Sequence, residues 1–440
     1  MYNKDMDEQK NTPNILSKSN VVNKTEMIKE KDKAGLKKAD GKWVVTGISL
    51  SGVILIAVIV AVVMYFMNNE KNIDKSGTGG YSIIEDNEGS SNTDLKSGSV
   101  TTTIDGRTVT YKGAYVVDGI EAEIMSGTYE SANDDEAVFL VINGGALKIN
   151  GDVAINKTGS EDFAGRGDEY SFYGKNSAIV VVGEGSSVSV EKAAIDTSVS
   201  GANAVVATNG GMIRVAESTI KTTKDNSRGL HATFGGTINA DNVNISTQGG
   251  SSAALATDRG EGTVVADNMT LATAGAGSPL IYSTGDIVVT NSNGTATGAQ
   301  IAVVEGKNSV KLQGCDFSAN GNGNRGEVDN AGVMIYQSMS GDAGEGTGSF
   351  TATDCELVVL ASSAVYDNTP FFFVTNTSAT IDLTGTSVEF SDNEYFISAL
   401  GTNEWGRSGD NGGKVNISMS DVDTTNTNVQ VDEISDVSGI

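Results

Sequence analysis

The sequence predicts an all-β chain whose main part is a right-handed parallel β-helix, a solenoid of about 23–26 residues per coil, preceded by one N-terminal transmembrane helix. Three observations lead there: a composition made for strands and turns, a repeat of fixed spacing, and one long apolar segment near the start. The 440 residues include 54 Gly and only 3 Pro, with 6% aromatics. Such a chain suits short strands joined by tight corners. The glycines do not recur at every third position, so collagen is excluded.

Within the repeat, an apolar residue at position i is followed by apolar or small residues at i+2, i+5 and i+7, often with Thr at i+9. Ile213, Val215, Ser218, Ile220 and Thr222 form one such frame, and Ile238, Ala240, Val243, Ile245 and Thr247 the next. Frames start at 188, 213, 238, 264, 287 and 310, giving steps of 25, 25, 26, 23 and 23. Weaker copies begin at Leu147, Ile381 and Val415, and the wider gaps near 147 and after 310 are expected to be inserted loops. Alternation at i and i+2, resumed at i+5 and i+7, is strand periodicity broken by a corner. A third apolar run precedes each glycine turn, as in AVVATNGG, AALATDRG and QIAVVEGK, so each repeat supplies three short strands. One repeat cannot bury its own apolar side, but stacked repeats share a continuous core. Right-handed winding follows from the preference of parallel crossovers. A leucine-rich repeat lacks its leucine consensus here, and propeller blades need about 40 residues or more.

The order along the chain is expected to be a disordered cytoplasmic tail (1–42), a membrane span (43–67), a flexible spacer (68–100) and the β-helix (101–435). The span WVVTGISLSGVILIAVIVAVVMYFM carries no charge. As a helix it is about 37 Å long, enough to cross a hydrocarbon core of about 30 Å. Trp43, Tyr65 and Phe66 occupy its interfacial ends, and Lys37, Lys38 and Lys42 precede it, which favours a cytoplasmic N-terminus and an external coil domain at the plasma membrane. The tail holds ten Lys against seven acids, about +3, so the remainder of a net charge of −26 is about −29. So acidic a domain has no basic face for nucleic acid, and none is expected as partner.

Segments such as NGGMIRVAESTIKTT and FGGTINADNVNIST resemble the right-handed parallel β-helices of bacterial surface and adhesin-like proteins, in the broad pectin-lyase-like superfamily. The likeness spans roughly residues 110 to 430 and is one of repeat style, without a diagnostic functional motif. It implies a surface domain, in a superfamily that also holds polysaccharide lyases and hydrolases. Fold alone does not choose between them.

The expected function is a non-catalytic binding, adhesion or structural module at the cell surface, for glycans or another surface protein. Tyr282, Tyr336, Phe372 and Trp405 are the candidate sugar-stacking aromatics. The alternative is a membrane-tethered carbohydrate-active enzyme, for which Asp316, Asp354 and Glu356 are the candidate acids, since glycosidases and lyases need clustered carboxylates. Asp241 and Asp267 fall at equivalent repeat positions, so their carboxylates stack and invite calcium, weighed against a solvated corner with an asparagine stack. Cys315 and Cys355, the only cysteines, share the i+5 position of successive clear frames. Their spacing permits a disulfide, although stacked side chains point the same way, which favours two packed thiols. His231, the only histidine, aligns in its strand with Val206, Leu255 and Ile281 and has no nucleophile motif beside it.

Overall fold

Strands one repeat apart lie side by side and run parallel, in the register of the repeat. In this computed structural model Leu147 pairs with Val188, Val188 with Ile213, Ile213 with Ile238, Ile238 with Val264, Val264 with Ile287 and Ile287 with Val310. The row continues through Phe350, Ile381 and Val415 to Val437. The structure describes residues 92–160, 166–320, 331–338, 340–360, 370–402 and 411–440, together with a two-residue antiparallel pair, Lys38–Ala39 with Lys42–Trp43. The chain divides into units Met1–Asn87 and Glu88–Ile440. The expected transmembrane segment lies outside the described residues beyond Trp43. Among the described residues no helix is long and apolar enough to cross a membrane.

Each coil contributes to three parallel sheets, an arrangement compatible with a parallel β-helix. The first sheet holds strands such as Met212–Ala216, Gly236–Asp241 and Gly262–Asp267. The second holds Thr219–Thr222, Asn244–Thr247 and Thr270–Thr273, and the third Leu230–Thr233, Leu255–Thr257 and Ile281–Ser283. The predicted apolar positions point inward: Ile213, Ile238, Val264 and Ile287 are all 2% exposed or less. Full burial of each such side chain contributes roughly 1.5–3 kcal/mol, which is what makes the stack cohere.

Between the first two sheets the backbone turns through a left-handed residue in coil after coil. Glu217, Asn242, Asn268, Asn291 and Asp354 all have φ between 47° and 54°. Asn and Asp tolerate this region best among side-chain-bearing residues, which explains the DN corners of the sequence. At the second-to-third corner, stacked glycines answer a different demand. A Cβ on Gly275 would lie 1.7 Å from the Gly249 carbonyl oxygen of the coil before it. Beside them Ser227, Ser252 and Ser278 form a ladder, each hydroxyl accepting an N–H from the preceding coil at 2.9–3.1 Å.

An antiparallel hairpin precedes the parallel coils, and a short strand closes them. A hairpin of Lys96–Ile104 with Arg107–Asp118 opens the second unit, turning at Asp105 and Gly106, both at positive φ as a two-residue hairpin requires. Its first strand starts inside the stretch expected to be spacer. The last strand, Asp436–Ser438, still pairs with Lys414–Ser420 beyond the expected end at 435.

Candidate functional site

The third sheet is buried on both faces, and this creates the site. Residues such as Leu230, Ala232, Leu255 and Ile281 face the coil interior, while His231, Ala256, Tyr282, Val303, Met334 and Phe373 form one register row on the outer face. His231 therefore stands beside Val206 and Ala256, one residue out of step with the inward Leu255 and Ile281 expected from the sequence. An apolar outer face must be covered or used.

One cover packs on this face, and a second stretch of it forms an apolar cluster of its own. At the N-terminal end the hairpin and the segment through Phe172 and Tyr173 pack on Leu140, Val180 and Val206. Tyr173 stacks on Phe234 with centroids 5.3 Å apart, and Tyr111 donates to the Tyr173 carbonyl at 2.9 Å. Toward the C-terminal end Val303, Met334, Tyr336 and Phe373 form a separate apolar cluster against which Tyr282 packs. Both chain insertions flanking the site are the interruptions seen in the repeat: the short helix Gly167–Ser171 follows the coil of Leu147, and the residues around Asp342 follow the coil of Val310.

Beside the N-terminal cover lies a cleft of about 430 Å³, lined by Phe172, Ala253, Pro279, Tyr282, Val303, Met334 and Tyr336 with the polar groups of Asp168, Asn226, Arg228, Asp258, Gln300, Glu305, Ser340 and Asp342. That size and this mixture of apolar walls with a few convergent polar groups are typical of small-ligand sites. Glu305, 1% exposed, organises the floor. Its Oε2 accepts Tyr282 Oη at 2.7 Å and Tyr336 Oη at 3.0 Å, and its Oε1 accepts the Ser338 hydroxyl and, at 3.3 Å, the Ser338 amide. Burial, then the neighbouring Tyr336 and Glu305, pushes the Tyr282 phenol well above its ordinary range.

Also in the lining, Arg228 Nη2 donates to Asp258 Oδ2 at 3.1 Å. The Asp258 carboxyl is held below its usual range: burial opposes ionisation, and the Arg228 charge and the Arg259 amide help to outweigh it. His231 Nε2 is 3.7 Å from the same oxygen, an ion-pair distance too long for a hydrogen bond. Burial, then the Arg228 charge, pushes His231 down to about 4, so at neutral pH it is an uncharged ring in an apolar row. At the mouth Arg259 binds Asp342 Oδ1 through Nε at 3.0 Å and Nη2 at 2.5 Å, and its Cζ lies 3.8 Å from the Phe172 ring centroid.

The candidate residues of the sequence distribute unevenly about this cleft. Tyr282 and Tyr336 both line it. Phe372 does not reach it: fully buried, its ring packs inside the coils against Phe350, Phe371 and Phe396, and its neighbour Phe373 takes the outward position. Trp405 lies outside the described residues. Asp316 and Glu356 are register partners, but on the exposed face of the second sheet, with Asp354 at a left-handed corner beside them. None of the three lines the cleft.

Asp241 and Asp267 do stack in register, and Asn268 Nδ2 bridges them at 3.2 and 3.0 Å. Asp267 also accepts Thr290 Oγ1 at 2.5 Å and Asn291 Nδ2 at 2.8 Å, so amide and hydroxyl donors occupy the oxygens offered to calcium. Among the described residues no three His, Cys, Asp or Glu converge as a metal site. Cys315 and Cys355 are free, buried thiols. They occupy the corner taken by Ser218, Ser292 and Thr386 in other coils and make the same bond to the carbonyl two residues back: Ser218 to Ala216 at 2.6 Å, Cys355 to Thr353 at 3.2 Å.

Arg228, Asp258, Arg259 and Glu305 were not among the residues singled out from the sequence. Two signals in the sequence point to their neighbourhood: the widened gaps in the repeat and the lone carboxylate closing the apolar run AVVE. The chain matches no family model, no characterised protein and no solved structure.

Proposed function

We propose that this protein is a membrane-anchored surface binding module whose cleft beside Tyr282 holds a segment of glycan. The carrying observation is the cleft itself, a partly uncovered stretch of an otherwise covered apolar sheet face, with aromatic and aliphatic walls and a rim of carboxylates, amides and one guanidinium. Sugar rings offer apolar faces to such walls and hydroxyls to such a rim. The apolar segment 43–67 supports a membrane anchor, and the lysines before it an external coil domain wound in the right-handed sense usual for parallel crossovers. A binding role is favoured over turnover because Asp316, Asp354 and Glu356 lie on an open face with no enclosing walls.

The test is titration of the full chain in detergent micelles with a panel of soluble oligosaccharides, assaying bound sugar and released reducing ends together. Binding that is lost in Tyr282→Ala, without release of ends, is the expected result. No binding to any member would remove the glycan reading, and product formation would replace it with an enzyme.

A further inference from the structure

The cleft has two lips of different firmness. One is the segment through Phe172, fixed to the coils where Thr233 Oγ1 donates to the Phe172 carbonyl at 2.8 Å and Asn203 Nδ2 to the Tyr170 carbonyl at 3.2 Å. The other is the turn of residues 340–342, of which Ser340 and Asp342 line the cleft. Its feet are held: Glu305 accepts the Ser338 amide at 3.3 Å, and on the far side the Lys307 amide donates to the Gly344 carbonyl at 3.0 Å. Between the feet the turn has little of its own to hold it. Gly341 stands at φ 83° with open space around it, and the Ser340 and Asp342 amides reach only the hydroxyls two residues back, both at 3.3 Å.

One side chain joins the two lips. Arg259, 83 residues before Asp342 in the chain, donates Nε and Nη2 to Asp342 Oδ1 at 3.0 and 2.5 Å, and its Cζ lies 3.8 Å from the Phe172 ring centroid. Among the described residues this is the only hydrogen-bonded link from residues 340–342 to anything outside their own loop. Arg259 is fixed at its base, where its amide donates to the buried Asp258 carboxylate at 2.9 Å. The Arg259 and Asp342 side chains keep 25% and 22% of their exposure, so salt reaches the pair. Part-exposed ion pairs and cation–π contacts are weak enough to open thermally.

We infer that Arg259 is a latch: it holds the 340–342 turn against the Phe172 lip, and its release from Asp342 sets how readily a ligand gains the cleft. In the released state the turn lifts on its two feet while the coils stay as they are. The device is indifferent to the nature of the ligand, so it does not rest on the glycan reading.

Access is read by thiol labelling of the full chain in detergent micelles, with Val303→Cys as reporter in a Cys315→Ser, Cys355→Ser background and neutral iodoacetamide as the probe. Val303 lines the cleft and is 6% exposed. Labelling through a rapid opening follows the population of the open form. Arg259→Ala and Asp342→Asn are each expected to raise the rate about tenfold, and together by no more than either alone, because both remove one contact. Arg259→Lys, which keeps the charge without the planar fork, falls between. Molar sodium chloride speeds labelling of the parent and leaves Arg259→Ala unchanged. A second reporter, Val264→Cys inside the coils, stays unlabelled throughout, which separates opening of the mouth from unfolding. Equal rates in the parent and Arg259→Ala, or effects that multiply in the double variant, overturn the latch. Should Arg259→Ala expose the Val264 reporter as well, the salt response of the parent decides alone, and a rate indifferent to salt overturns it.

Discussion

Tyr282 donates its phenolic hydrogen to the carboxylate of Glu305, one coil further on in the third sheet, at 2.7 Å. The same carboxylate takes the hydroxyls of Tyr336 and Ser338, so one buried acid ties three donors around the cleft floor. Each hydroxyl left without its acceptor costs about 1–3 kcal/mol. Glu305→Ala is therefore expected to lower stability by about 3 kcal/mol or more, with Glu305→Gln recovering part of the loss. Urea unfolding of both variants checks the order.

The raised Tyr282 pKa gives an alkaline signature. A group whose folded pKa exceeds its unfolded value stabilises fully below the unfolded pKa, here 10.0, and that contribution fades as pH climbs toward the folded value. Stability is expected to fall from about pH 10 upward, and less steeply in Tyr282→Phe. Identical alkaline profiles for the two proteins would assign the fall elsewhere.

His231 supplies the acid counterpart. Its folded pKa of about 4 lies below the ordinary 6.5, so the unfolded chain binds the extra proton first. Stability should hold above about pH 6.5 and decline as pH falls toward 4, by about 3 kcal/mol across the window. Asp258, whose pKa is also lowered, adds its own loss below the usual carboxylate range. His231→Leu is expected to flatten the pH 4–6.5 slope, read from denaturation midpoints at several pH values.

Cys315 and Cys355 do what Ser218 and Ser292 do elsewhere, each bonding the carbonyl two residues back. Cys→Ser at either site is expected to change stability by less than about 1 kcal/mol, because the corner already accepts serine. Thiol titration of the denatured, unreduced protein should find both cysteines free.

Gly275→Ala has no such latitude. The new Cβ would meet the Gly249 carbonyl oxygen at 1.7 Å, backbone that neighbouring coils hold in place. A loss of about 3 kcal/mol or more is expected in thermal unfolding, against little change for the exposed pair Asp316→Asn and Glu356→Gln.

The register of the first two sheets was legible because each has one buried and one solvated face, so Ile213, Val215 and Ile220 alternate with polar neighbours. The third strand carries no such alternation. Leu230–Thr233 is buried at every position, and sequence reading therefore placed His231 beside Leu255 and Phe372 on the surface, each out by one residue. Tyr282 and Tyr336, singled out as candidate aromatics, do line the cleft, but their partner Glu305 was passed over because an acid at the end of AVVE also reads as the start of a turn. Asp316 and Glu356 were correctly predicted to stack, yet stacking alone put them on an open face.

By itself the sequence determined the step of the coil and the inward residues of its first two sheets, both consequences of short-range periodicity. Only the tertiary structure decided where a cleft opens on its surface. The outer face of the third sheet is largely apolar from Val180 to Phe373, and whether a stretch of it becomes core or cleft depends on which inserted segments fold back over it. Phe172 and Asp342 reach the cleft from insertions far apart in the chain, and Arg259 joins them, a meeting no local pattern encodes.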